Sequence, residues 1–229
     1  MLTPSLNNLP IFRIEHRDNL PYILEHGMHT SGHAQLNPNH IFIGNAKITA
    51  DRHSKAVRPV DVSPEQAHQY GNLGDYVPFY FGPRSPMLGS IMLGTEGVLQ
   101  RPQKEIVYLC CRFRTVLETG WQYAFTDGQA KMTITAFYHN PDSLNKLHWD
   151  TIYARQWFNT TEEFDRRRRK QAELLVHSHV PPSWIEAIVV YDDDVRTFAQ
   201  AVVDRLNHPA VIRVNPPTPK LNNCGFYYP

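Results

Sequence analysis

The sequence is poor in the features that announce many protein classes. Its 229 residues contain three cysteines, Cys110, Cys111 and Cys224, too few and too irregularly spaced for a disulfide framework or a cysteine-rich zinc site. No apolar run reaches the length a membrane helix requires, so no membrane partner is expected. The N-terminus, MLTPSLNNLP, has neither the basic start nor the apolar stretch of a signal peptide, and a reducing, cytoplasmic setting is the expectation. Net charge is also nearly absent, with 23 Lys+Arg against 22 Asp+Glu. That balance excludes a protein that coats nucleic acid by bulk electrostatics, because such domains are strongly basic. Finally, there is no G-x-S-x-G elbow, Walker loop or G-x-G-x-x-G fingerprint, which removes the commonest hydrolase, NTPase and Rossmann readings.

What remains is an ordinary globular composition, 41% hydrophobic and 20% charged, in a chain long enough for a sizeable core. No repeat or long linker divides it, so residues 1–229 read as one domain. Ile11–His16 alternates like a strand. Asp18 reads as the N-cap of a helix with Pro21 in its first turn and Gly27 as its stop. IFIGNAKITADR reads as a short strand, a glycine turn and a short helix. Tyr76–Phe81 is a strand, placed at an edge or made irregular by Pro78. Glu105–Phe113 and Trp184–Tyr191 look like buried strands, Asp194–Leu206 is an amphipathic helix and Val211–Val214 a final strand. Thr160 and Glu163 form a capping-box pattern before a helix through Arg166–Lys170 towards Leu175. This irregular mixture predicts an α+β fold, since the regular alternation of a doubly wound sheet is missing.

Several groups of residues carry chemistry. His26, His29 and His33 lie close together, but their spacing crosses a helix end and a glycine loop; scattered loop histidines are the better reading, and no metal is expected. His177 and His179 form at most a pair on one side of a strand. Cys110 and Cys111 sit in an apolar strand with no activating base, and packing accounts for them. The run Arg166–Lys170 is either a helix face balanced by Glu162, Glu163 and Asp165 or a phosphate-contacting patch. Glu173, at the start of an apolar segment, is costly unless it is paired or placed at a cleft. Arg52 ends a short polar helix in a stretch too irregular to be plain scaffold. Between Trp121 and Trp157, Tyr123, Phe125, Tyr138 and Trp149 are interleaved with Lys131, Lys146 and Arg155. They are either core aromatics or a stacking surface for a single nucleic-acid strand. The positive charge is concentrated in this part of the chain, with 12 basic and 8 acidic residues over 101–170.

IFRIEHRDNLPYILEHGMHT, IFIGNAKITADR, DYVPFYFGPRSPML and KQAELLV occur in the order found in the DarT family, and the chain resembles that family from about Ile11 to its aromatic end, Gly225-Phe226-Tyr227-Tyr228. These are bacterial toxins that ADP-ribosylate DNA using NAD. The resemblance implies an ADP-ribosyltransferase fold, a split and bent α+β sheet with NAD in the cleft between its halves. It implies that Arg52 and Glu173 are catalytic, and that Arg13 contacts the ribose and nicotinamide side of NAD. Glu15 falls where the family often has a small polar residue in the same wall. Asn19 and Gly27 flank the helix lining the cofactor cleft, and Tyr76, Phe79 and Met87 wall the nicotinamide and the incoming base. The superfamily's middle S-T-S signature is missing, with Tyr76–Phe81 in its place.

The implied chemistry is breakage of the bond between ribose C1′ and nicotinamide through an oxocarbenium-like transition state. Glu173 would steady that charge through the ribose 2′-OH. Arg52, a permanent cation, suits stabilisation of the acceptor base or the NAD phosphates better than proton abstraction. The expected substrate is thymidine in single-stranded DNA, because a duplex hides the reacting edge. The expected partner is a macrodomain-type antitoxin, and the expected state a monomer. The alternatives are transfer to RNA or protein, or a non-catalytic nucleic-acid or NAD-binding module with Arg52 and Glu173 as a structural ion pair.

Overall fold

The computed structural model describes residues 3–95, 97–215 and 227–228; Cys224, Gly225 and Phe226 lie outside the described residues. The strands are β1 (Pro10–His16), β2 (Met28–His29), β3 (Tyr76–Tyr80), β4 (Ile106–Arg112), β5 (Tyr123–Thr126), β6 (Phe137–Tyr138), β7 (Glu173–His177), β8 (His179–Val180), β9 (Ala187–Val190) and β10 (Val211–Val214). The helices are α1 (Leu20–His26), α2 (Ala46–Arg52), α3 (Pro64–Ala67), α4 (Pro86–Leu93), α5 (Phe113–Glu118), α6 (Trp149–Tyr153), α7 (Arg166–Arg169) and α8 (Asp193–Leu206). An eight-stranded sheet runs β10-β9-β4-β1-β3-β7-β5-β6, and β2 pairs with β8 beside it. Every pairing in the large sheet is antiparallel except β9 with β10. The α+β expectation therefore holds.

The sheet is split down its middle. β1 pairs with β4 along its whole length, yet meets β3 through a single register pair, Phe12 with Tyr80. Pro78 was expected to put its strand at an edge or to make it irregular; the strand is internal, and the irregularity is the split itself. Pro78 faces Leu175 of β7 in register, and its carbonyl accepts a hydrogen bond from Arg13 Nη1 at 3.1 Å. Its missing N–H therefore points to the β1 side, where the strands have separated and no ladder bond is lost.

Alternation sorts the side chains into two sets. Val77 and Phe79 of β3, Leu174 and Val176 of β7, and Tyr123 and Phe125 of β5 enter the main core. Tyr76, Pro78 and Tyr80 take the opposite face of β3, the face also presented by Glu173. Cys111 is buried and Cys110 half-buried; burial pushes the Cys110 thiol up to about 12, so the pair is packing material. At the chain end, Tyr228 is buried with its hydroxyl donating to the Ile106 carbonyl at 2.7 Å.

Other local expectations are corrected. Asp18 lies in a 3₁₀ turn, Arg17–Asn19, its N–H donating to His16 Nδ1 at 3.2 Å, and Asn19 occupies the N-cap position of α1. No strand forms over 41–43. Thr160 accepts from the Glu163 N–H at 3.1 Å in a turn outside any helix, and the following helix stops at Arg169 because the chain turns inward to begin β7. Ser178, with φ 66°, separates His177 on β7 from His179 on β8. Trp184 belongs to a 3₁₀ turn, and its strand starts at Ala187.

Candidate active site

Where β1 and β3 part, their facing residues border two adjoining cavities of about 200 and 160 Å³, with Arg13, Glu15, Arg52 and Pro78 lining both. Arg13 and Glu15 lie two apart on β1 and so share a face; Arg13 Nε donates to Glu15 Oε1 at 2.7 Å. Asn45 caps α2 by accepting from the Ile48 N–H at 2.9 Å, which sets the helix so that its last residue reaches across the gap. Arg52 Nη1 donates to Glu173 Oε2 at 3.1 Å.

Glu173 is 4% exposed. Its other oxygen, Oε1, accepts from the Ala130 N–H at 2.9 Å, and its own N–H donates to Thr126 Oγ1 at 3.0 Å. The carboxylate is thus aimed from both sides. The guanidinium is only half used: Arg52 Nη2 is buried and has no hydrogen-bond partner among the described residues. An orphaned charged donor is costly, and one left beside a cavity is suited to an acceptor atom brought in by a ligand.

The predicted residues divide. Arg13, Glu15, Gly27, Arg52, Tyr76, Met87 and Glu173 line the cavities. Gly27 is required there, because its φ is +90° and a Cβ would come within 2.4 Å of the Val180 carbonyl oxygen. Tyr76 donates its hydroxyl to the Tyr70 carbonyl at 2.6 Å, and burial pushes that phenol up.

Phe79 is a correction. It is 1% exposed in the main core, since it stands one residue out of phase with Tyr76, Pro78 and Tyr80. Asn19 is a second correction. It lines neither cavity; its amide bridges Glu15 Oε2 (3.2 Å) and both backbone groups of Ile41 (2.9 Å each), stapling the 30–45 loop to β1.

The proposed stacking surface is a third correction. Tyr123, Phe125 and Trp149 are buried in the main core, and their polar atoms are satisfied: Tyr123 Oη donates to the His139 carbonyl at 2.7 Å and Trp149 Nε1 to the Leu144 carbonyl at 2.9 Å. Tyr138 is half-buried and stacks on Phe125 with centroids 5.6 Å apart. Tyr123, Phe125 and Trp149 therefore offer no face to a base. Lys146 and Arg155 are exposed. Lys131 lines the second cavity, not an outer surface, and pairs with Asp51 at the end of α2.

Tyr80, His40, Phe42 and Gln129 also line the second cavity and were not predicted. Tyr80 was recoverable from its phase with Tyr76; it is the register partner of Glu173, and burial together with that carboxylate pushes its phenol up to about 12. His40 and Phe42 lie in an irregular loop that carries no periodic signal.

The run Arg166–Lys170 divides: Arg166 and Arg169 pair with Glu163 and Asp165 one turn away and Arg167 is exposed, as a balanced helix face would have them, whereas Arg168 and Lys170 turn inward. Arg168 is 9% exposed and binds Asp127 at 2.9 Å and Asp165 at 2.8 Å. Lys170 is 1% exposed, with Nζ donating to the carbonyls of Ile152 and Ala154. Burial, reinforced by Arg84 and Arg166, pushes its ammonium down to about 7. An unfolded lysine holds its proton to about pH 10.4, so above about pH 7 the unfolded state binds more protons and stability rises with pH. The unfolding midpoint of the native protein is expected to rise between about pH 7 and 8.5 relative to that of Lys170→Met. Parallel profiles would show that Lys170 stays charged.

His29, His33 and His179 come together, with ring centroids 4.5 to 5.8 Å apart, while no group of three or more His, Cys, Asp or Glu among the described residues is arranged to hold a metal ion. No helix among them is long and apolar enough to cross a membrane.

The sequence matches the family described as ssDNA thymidine ADP-ribosyltransferase, DarT, over residues 12–224. It is 38% identical over 186 residues to a DNA ADP-ribosyl transferase of Escherichia coli O127:H6, covering 81% of this chain and 82% of that one. The fold superposes on DarT from Thermus sp. 2.9 in complex with ADP-ribosylated ssDNA, with a TM-score of 0.78, 32% identity and coverage of 93% and 95%. It also superposes on the same protein in complex with NAD+, with a TM-score of 0.73, 31% identity and coverage of 93% and 96%. A DNA ADP-ribosyl transferase–DNA ADP-ribosyl glycohydrolase fusion protein of Thermosipho africanus is 26% identical over 201 residues, covering 88% of this chain and 47% of the fusion. The chain belongs to the DarT family of ssDNA thymidine ADP-ribosyltransferases.

Proposed function

We propose that the protein transfers ADP-ribose from NAD to a thymine ring nitrogen in single-stranded DNA, with Arg52 and Glu173 as the catalytic residues. The observation that carries this reading is the buried, cavity-lining pair: a carboxylate fixed by Ala130 and Arg52, beside a guanidinium nitrogen that lacks an acceptor among the described residues.

NAD spans the split, with Arg13, Glu15, Gly27, Tyr76 and Met87 in its walls. As the C1′–nicotinamide bond breaks, positive charge grows on the ribose and Glu173 stabilises it through the 2′-hydroxyl. As the thymine ring nitrogen gives its proton to solvent water, negative charge spreads onto the flanking carbonyl oxygens, where Arg52 Nη2 donates a charge-assisted hydrogen bond. The nitrogen then bonds to C1′, which neutralises that charge, and nicotinamide leaves as a neutral molecule with the electron pair of the broken bond. A guanidinium stays protonated, so Arg52 stabilises the base and does not deprotonate it. Base pairing occupies that ring edge, which makes single-stranded DNA the substrate.

The reading takes residues 1–229 as one catalytic domain, supported by a sheet whose strands run from residue 10 to residue 214. The Thermosipho fusion joins a transferase to a glycohydrolase; a separate macrodomain-type glycohydrolase that removes the modification is the corresponding antitoxin here. The toxin works as a monomer in the cytoplasm, where NAD and single-stranded DNA are both present.

The test incubates the protein with NAD and a panel of thymidine-containing and thymidine-free single strands, the matching duplex, RNA and protein, and reads masses. One added ADP-ribose on thymidine-containing single strands alone is expected. Addition to RNA or protein, or DNA binding with no nicotinamide released, overturns the reading.

A further inference from the structure

The two cavities are walled on one side by β1 and on another by residues 30–45, a segment that contains no helix or strand. This loop contributes Ser31, Leu36, His40 and Phe42 to the linings. An irregular loop receives a ligand well only when it is already fixed in the receiving arrangement. Its tie to β1 is Asn19, which is 1% exposed and occupies the N-cap of α1 without making a side-chain capping bond. The amide is spent elsewhere. Oδ1 accepts from the Ile41 N–H and Nδ2 donates to the Ile41 carbonyl, both at 2.9 Å, which fixes the orientation of the amide. The second Nδ2 proton goes to Glu15 Oε2 at 3.2 Å.

Glu15, 3% exposed, therefore stands between two donors. Oε2 meets the Asn19 amide, and Oε1 accepts from Arg13 Nε at 2.7 Å. Arg13 in turn reaches across the split to the Pro78 carbonyl through Nη1. An unbroken chain of hydrogen bonds thus runs Ile41–Asn19–Glu15–Arg13–Pro78, joining the loop, β1 and β3 around the cleft. Position 15 must accept twice in this chain. A carboxylate does so with its two oxygens, whereas an amide of the same shape sets its NH₂ against one donor or the other.

We propose that Glu15 and Asn19 are positioning residues that preset the cleft for NAD, holding the Arg13 guanidinium across the split and the 30–45 loop against β1. The inference rests on the reading under Proposed function that NAD occupies this cleft. It gives Glu15 a role exerted through its neighbours, in place of one exerted by contact with the dinucleotide. When the chain of bonds is cut, part of the binding energy of NAD goes into ordering the loop and the guanidinium, and apparent affinity falls with the fraction of molecules that are preset.

The test measures NAD binding to the full-length protein by calorimetry without DNA, together with KM and kcat for transfer to a thymidine-containing single strand. Glu15→Gln is expected to weaken NAD binding and raise KM for NAD roughly tenfold, with a much smaller change in kcat at saturating NAD. Asn19→Ala removes no capping bond and lies outside both linings, yet it should raise KM for NAD several-fold. The double variant Glu15→Gln/Asn19→Ala should be no worse than Glu15→Gln alone, because both changes cut one chain. Native NAD affinity in Asn19→Ala overturns the proposal. So do single effects that multiply in the double variant, since Glu15 then acts on NAD directly. Thermal melts check each fold, and where Glu15→Gln does not fold, Asn19→Ala decides alone. Failure of the native protein to release nicotinamide counts against the catalytic reading instead, while calorimetry still reads the positioning effect, so the two failures are distinguishable.

Discussion

Replacing Glu173 with Gln is expected to slow ADP-ribose transfer by on the order of 10²–10³-fold, the usual cost of losing one preorganised electrostatic stabiliser. The variant keeps the shape of the side chain, and its amide oxygen can still accept from the Ala130 N–H that now lies 2.9 Å from Oε1. It then presents an amide NH₂ to Arg52, where the native protein has a carboxylate oxygen 3.1 Å from Nη1. Two effects follow. The negative charge beside the growing oxocarbenium disappears, and Arg52 loses the partner that fixes its orientation. Single-turnover labelling of a thymidine oligonucleotide, alongside a thermal melt, separates chemistry from folding. A folded variant with native rates would remove Glu173 from the mechanism.

The second large effect concerns stability. Arg168→Met is expected to cost about 3–5 kcal/mol, because removing one partner of a buried ionic cluster leaves the others uncompensated. Arg168 sits between Asp127 and Asp165, whose side chains are only 18% and 15% exposed, and it also donates to Thr135 Oγ1 at 3.1 Å. Its own carbonyl accepts from the Gln129 N–H at 2.9 Å. The cluster therefore holds the 127–135 loop, and that loop carries the Ala130 N–H that aims Glu173. Urea unfolding measures the loss, and a change below about 1 kcal/mol would place the cluster among weak, solvent-screened pairs. Transfer should slow as well, since the clamp on Glu173 loosens.

Arg168 also shows where reading along the chain stops working. Four consecutive arginines and a lysine look like surface when neighbours are counted one turn away. In the folded protein the decisive partner, Asp127, comes from 41 residues upstream, and Lys170 is capped by carbonyls from α6. The stacking surface failed in the same way. Aromatic spacing cannot distinguish rings that fill a core from rings that face a ligand, and burial alone shows that Tyr123 and Phe125 fill the core.

Much was legible nonetheless. The alternating Ile11–His16 became β1, the other segments read as strands became β3, β4, β9 and β10, the polar stretch before Arg52 became α2, and the isolated carboxylate before an apolar run was Glu173 at the head of β7. Local rules suffice for these because a strand's alternation and a helix's cap are written within a few residues. The sequence by itself thus determined the class of fold, the family and the two charged residues proposed for the chemistry. Only the tertiary structure decided that Pro78 lies inside the sheet, facing the gap where β1 leaves β3, and that Phe79 turns into the core while Tyr80 turns to Glu173. It also decided that Arg52 reaches a carboxylate 121 residues away with one nitrogen still unpartnered among the described residues. Each of these depends on which strand lies beside which, and that is settled by packing across the whole chain.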